Sequence, residues 1–164
     1  MLDGGDRRRR AGPAAVKALA VLALLTPATA LAAGPDGAAI FTRCAACHTK
    51  TGAGVPGAYP PLGADFRALA TKPDGRRYLA LAVLKGLSGP LTVEGKTYRN
   101  VMPAQGGLDE AAVAAVLNHV GTAIARTGPA FKPFTPAEVA GYKAGAGSMT
   151  GADVARLHGA ADGK

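Results

Sequence analysis

Two cysteines stand three positions apart, and a histidine directly follows the second: Cys44-Ala45-Ala46-Cys47-His48. They are the only 2 cysteines in 164 residues. On a helix, positions i, i+3 and i+4 share one face, so both thiols and the imidazole would point the same way. A disulfide closing so short a loop would gain little stability. A structural zinc site takes about four ligands, and no second cysteine pair exists. A thioredoxin-like redox pair belongs beside a strand–helix unit, yet no strand pattern precedes Cys44.

What this spacing serves is the covalent attachment of haem. The two thiols add across the two vinyl groups as thioethers, and the imidazole then sits beneath the iron; C-x-x-C-H is the signature of that arrangement. Composition agrees. There is no Trp, with 4 Phe and 4 Tyr, a thin supply of the side chains that bring most area to a core. A large buried cofactor fills that deficit. The residues before the motif predict a helix: Asp36 is placed to cap it, and Ile40, Phe41 and Cys44 fall on one face. Gly37 in its first turn would let another backbone come close.

A haem iron held by one histidine has a sixth position, for which methionine is the soft ligand of electron-transfer haems. Met102 is the expected one, in the Pro-marked loop Asn100-Val101-Met102-Pro103-Ala104. Met149 is the other candidate, in a late Gly/Ser stretch. His119 would give a bis-histidine site, but it lies beside the apolar stripe Val113, Val116, Leu117, Val120 and Ile124, which predicts a helix over 108–126 with Asp109 as cap. It reads better as a packing or surface residue. His158, in the tail, reads as solvated.

Arg7–Arg10, an apolar run from Ala14 to Leu25 broken only by Lys17, Pro27, and Ala30-Leu31-Ala32 follow the order of a secretory signal peptide. Residues 1–32 are therefore expected to be removed on export to the periplasm by the general secretory route. The alternative is an uncleaved membrane anchor, although the run is shorter than the ~20 residues of a membrane span. Residues 1–32 hold five basic and two acidic side chains, so their removal takes the formal net charge from +8 to +5. The remaining basic residues are scattered, which predicts a solvated surface or a docking face for an acidic redox partner and no nucleic-acid site. The compact haem domain is expected over residues 33–127, followed by a C-terminal extension over 128–164. Within that extension Pro136–Lys143 reads as a short helix and 144–164 as Gly/Ala-rich chain without fixed structure.

With these pieces in hand, the sequence resembles the class I cytochrome c family from Gly37 to Arg126. The matching parts are the first helix with Gly37 and Phe41, Cys44–His48, Tyr59-Pro60-Pro61-Leu62, Met102-Pro103, and a last helix opening at Leu108-Asp109-Glu110. The resemblance implies an all-α fold around one covalent haem c. It implies attachment at Cys44 and Cys47, axial ligation by His48 and Met102, and outer-sphere transfer of single electrons without catalysis. It further implies that a proline carbonyl accepts the ring N–H of His48. Pro61 is the matching position, with Pro60 as the alternative. Where the family's first and last helices cross, an aromatic residue is usual; here that place falls to His119. The stretch Tyr78–Met102 resembles cytochromes, free or as subunits, that accept electrons from periplasmic dehydrogenases. In it Tyr78–Gly86 reads as a helix ending at glycine and Leu91–Tyr98 as a small hairpin about Glu94-Gly95. Tyr98 is expected either on the distal side of the haem or on the hairpin surface. The partners implied are a periplasmic dehydrogenase donor or a terminal oxidase acceptor, docking beside Arg43 and Lys50. The alternative is a haem subunit held within such a complex.

Overall fold

The computed structural model describes residues 34–162; the expected export segment, residues 1–32, lies outside the described residues. Helix α1 spans Gly37–His48, and the Asp36 carboxylate accepts from the backbone N–H of Ala38 (2.9 Å) and Ala39 (3.2 Å) at its start. A short α2, Ala64–Leu69, leads into α3, Pro73–Lys85. Pro73 opens α3, where its missing N–H costs nothing. Strands β1 (Leu91–Val93) and β2 (Lys96–Tyr98) pair antiparallel with Leu91 opposite Tyr98. Glu94 and Gly95, both at positive φ (50° and 75°), make the hairpin turn. Helix α4, Glu110–His119, is capped by Asp109, which accepts from Ala112 N–H at 2.8 Å. It widens into one π turn at Val120–Ile124. The helix expected over 108–126 is thus two segments.

Helix α1 crosses α4 closely. A Cβ on Gly37 would overlap the carbonyl of Ala115, so only glycine allows this approach. One turn further on, the Phe41 and His119 rings lie 5.4 Å apart. The histidine fills the aromatic place of the crossing.

The compact body does not end near Thr127. Arg67, on α2, donates to the carbonyls of Gly121 (2.6 Å), Ala125 (3.2 Å) and Pro129 and so turns the chain back onto the domain. Helix α5 then runs Pro136–Ala144, capped by Thr135, and α6 runs Gly151–Asp162. At the start of α6, Asp153 N–H donates to Thr150 Oγ1 (3.2 Å) while Thr150 N–H donates to Asp153 Oδ2 (2.7 Å), a reciprocal cap. Val113 of α4, Val139 of α5 and Val154 of α6 are all at 0 % exposure, and α3 packs against all three helices. The stretch 144–162, expected to lack fixed structure, is mostly helix. Its small residues let α6 lie close, while Val154 and Ala161 supply the apolar contact.

Candidate haem site

Helix α1 ends abruptly at His48, because Thr49 takes φ +64° and Gly54 N–H bonds back to the His48 carbonyl at 2.9 Å. The last turn therefore presents Cys44, Cys47 and His48 together, and all three line one cavity. Its walls are mainly apolar, with Phe41, Phe66, Leu69, Leu79, Val83 and Leu117 among them.

The imidazole of His48 is 9 % exposed. Its Nδ1 lies 2.9 Å from the carbonyl oxygen of Pro60. Because a carbonyl can only accept, Nδ1 carries the proton and Nε2 keeps its lone pair. Burial holds the pKa of His48 below the ordinary histidine value, against the opposing pull of the Pro60 carbonyl. The ring is therefore held neutral, the form that binds a metal. The acceptor is Pro60 and not Pro61, the position the resemblance put first; both prolines line the cavity. Successive carbonyls of an extended segment point in different directions, and only that of Pro60 meets the ring. Burial also pushes the Cys44 thiol up, partly offset by the Arg43 guanidinium.

Met102 lines the same cavity. Its backbone is pinned to Leu87 by two hydrogen bonds, Leu87 N–H to Met102 O (2.9 Å) and Met102 N–H to Leu87 O (3.0 Å). Gly86, at the end of α3, has φ +74° and ψ −176°, and a Cβ there would overlap the Met102 carbonyl. Met149 is elsewhere, packed on the outer core with its sulfur 3.5 Å from Arg77. Of the three histidines only His48 lines the cavity; His119 packs at the α1–α4 crossing. Tyr98 is 4 % exposed and lines the cavity from the hairpin, where it shares a small core with Leu91 and Val93. It is not a surface tyrosine.

Sequence reasoning missed Asp65 and Tyr78, which also line the cavity. Tyr78 lay on a recognised helix, but nothing marked which face of that helix meets the cofactor. His158, read as solvated, is buried and bonded to Asp65. Among the described residues no group of three or more His, Cys, Asp or Glu is placed to hold a bare metal ion. Two thiols and one neutral imidazole at the edge of an apolar, partly aromatic cavity instead fit a porphyrin carrying its own iron.

This combination of helix end, pinned imidazole and apolar slot defines a c-type haem protein. The family model for cytochrome c matches residues 35–123. Cytochrome c-552 of Thermus thermophilus is 45 % identical over 106 residues, covering 63 % of this chain and 81 % of that protein. A second cytochrome c-552, from a particular strain of the same organism, is likewise 45 % identical over 106 residues, covering 63 % of this chain and 72 % of that protein. The chain belongs to the cytochrome c family, as a class I member with one covalent haem c, attached through a motif that Cys44 and Cys47 supply. It is an electron-transfer protein and not an enzyme.

Proposed function

We propose that this protein is a periplasmic carrier of single electrons whose haem iron is bound by His48 and Met102. The observation that carries the reading is the pinning of Met102 to Leu87 in the wall of the cavity that His48 also lines. Bound haem supplies the one-electron couple. The chain's own residues do the rest. Pro60 fixes the His48 tautomer and strengthens its basicity. The Leu87 bridge holds the Met102 segment in either oxidation state. The apolar wall excludes water, and fixed ligands keep reorganisation small. Arg43 and Lys50 are exposed beside the attachment motif and are the docking charges for a dehydrogenase donor or oxidase acceptor. A Met102 backbone pinned in the cavity wall supports this reading over an open-iron enzyme or gas sensor.

Residues 1–32 support export through their charge and hydropathy order. Among the described residues no helix is long and apolar enough to cross a membrane. The extension buries its apolar residues on its own domain, which favours a free carrier over a subunit that uses the extension to bind a complex.

The test is an optical spectrum of the oxidised, exported protein and of Met102→Ala. The wild-type protein is expected to show the weak far-red band of a sulfur–ferric iron bond and to resist carbon monoxide. The variant should lose the band, bind carbon monoxide rapidly and have a lower reduction potential. A wild-type protein without the band, binding carbon monoxide freely, would refute the ligand assignment. The mass of the periplasmic protein should equal the chain without residues 1–32 plus one haem.

A further inference from the structure

His158 lies on α6, beyond the stretch that matches the family model. It is 3 % exposed. Its Nε2 is 3.0 Å from Asp65 Oδ2, and its ring meets the Tyr78 ring edge-on at 5.1 Å. Asp65 and Tyr78 both line the haem cavity. His158 also borders a surface cleft between Pro90, Leu91 and Thr92 on one bank and Ala155, Arg156 and Gly159 on the other. One imidazole therefore stands between the wall of the cofactor cavity and a route to solvent.

The titratable and charged groups around it come from several elements. Asp65 faces it from α2 and Tyr78 from α3. On its own helix Arg156 lines the cleft and pairs with Asp153. Lys72, which precedes α3, reaches α6 by donating to the Ala161 carbonyl at 2.8 Å. The hairpin bank of the cleft brings no charged group.

We propose that the His158–Asp65 pair is a proton-binding site linked to the oxidation state of the haem, a reading that rests on the electron-carrier function above. Imidazole is the side chain whose charge ordinarily changes between about pH 5 and 8. Charges interact strongly across poorly screened protein interior, and Asp65 lies on the cavity wall itself. When the protein takes one electron from its redox donor, the pair takes one proton from water through the cleft, and the imidazole becomes an imidazolium against the Asp65 carboxylate. When the electron leaves, the proton returns to solvent. Linkage makes the effect reciprocal: protonation favours reduction by the same factor by which reduction favours protonation.

The test uses the haem-loaded protein, wild type and His158→Gln, the amide keeping a donor toward Asp65. Reduction potentials are measured over a series of pH values. In the wild type the equilibrium constant for reduction should fall with rising pH, by up to tenfold per pH unit, or about 59 mV for one electron, across the window where the pair titrates. In His158→Gln that part of the dependence should vanish. Any dependence common to both belongs to the haem propionates or to other groups. Coincident profiles would overturn the proposal. A second measurement needs no variant: the His158 ring is titrated by NMR in the oxidised and the reduced wild-type protein. Its midpoint should lie higher in the reduced form, and equal midpoints would overturn the proposal. Absence of the sulfur–iron band in the wild type fails the His48/Met102 ligation of the carrier proposed above. An intact band with coincident pH profiles fails this one alone.

Discussion

Gly86 concentrates two demands in one residue. Its backbone, at φ +74° and ψ −176°, lies where essentially only glycine goes, and another residue forced there costs about 1–3 kcal/mol. The segment crossing over it is the one that carries Met102. Gly86→Ala is therefore expected to lower stability by about 2–3 kcal/mol, read from the denaturation midpoint. It should also loosen the proposed bond between the Met102 sulfur and the iron, read as faster carbon monoxide binding by the folded variant. A variant as stable as the parent, with an unchanged optical spectrum, would show that the close crossing of Met102 over Gly86 is absent in solution. His48 shows the other side of the residue scale. Its neutral state comes from burial, and its orientation comes from one carbonyl 2.9 Å away. The burial comes from the apolar side chains of the cavity wall, and the orientation comes from the backbone of Pro60.

Between elements, a two-pronged ion pair joins α3 to α5. Arg76 donates to both carboxylate oxygens of Glu138 (2.6 and 2.7 Å), to the carbonyls of Ala70, Lys132 and Pro133, and lies 3.8 Å from the Phe134 ring centroid. The hydrogen bond from Arg76 holds the Glu138 carboxyl below the usual glutamate range, against a desolvation that would raise it, and Tyr142 adds a second donor. A depressed folded-state pKa stabilises the protein above the unfolded value, and the stabilisation is lost as pH falls through the folded value. Glu138→Gln should therefore cost about 2 kcal/mol at neutral pH, in the range of hydrogen bonds to charged groups. The difference from wild type should shrink to nothing under acid conditions below the depressed pKa. Equal destabilisation at every pH would assign the effect to shape instead of charge. Elements with a local signature were legible in the sequence. Asp36 and Asp109 announced α1 and α4, Glu94-Gly95 announced the hairpin, and the short helix expected at Pro136–Lys143 is α5. Helix α6 was not legible, because its buried positions include only one large aliphatic side chain, Val154, beside Ala155, His158 and Ala161, and its cap is a Thr150–Asp153 exchange inside a Gly-rich run. Its apolar partners sit on α3, far away in sequence. The choice of Pro60 over Pro61 was equally hidden, since it depends on carbonyl direction and not on residue type.

At the scale of the whole molecule, the thin aromatic supply is met from two sources. Haem would fill the cavity on one side of α3, and the chain after Thr127 covers the other. The extension contributes Phe134, Val139, Ala146, Val154 and Ala161 to the same core as Phe41 and Leu81. Each large buried apolar side chain contributes about 1.5–3 kcal/mol relative to exposure, against a net stability of about 5–15 kcal/mol for a typical domain. Cutting the chain at Thr127 leaves that face of α3 and α4 in water and strands the Arg76 guanidinium without Glu138. It also removes the cost of ordering the extension, so the net loss is smaller than the gross burial. The full chain is expected to unfold in one transition, with haem absorbance and far-ultraviolet circular dichroism melting together. The protein ending at Thr127 should still attach haem, because every group of the attachment motif and Met102 precede the cut. It should melt more than about 10 °C lower, and loss of His158 should leave Asp65 without its imidazole partner. A truncated protein melting at the parent temperature would make the family-matched segment the whole cooperative unit. Two separate transitions in the full chain would make the extension a domain of its own.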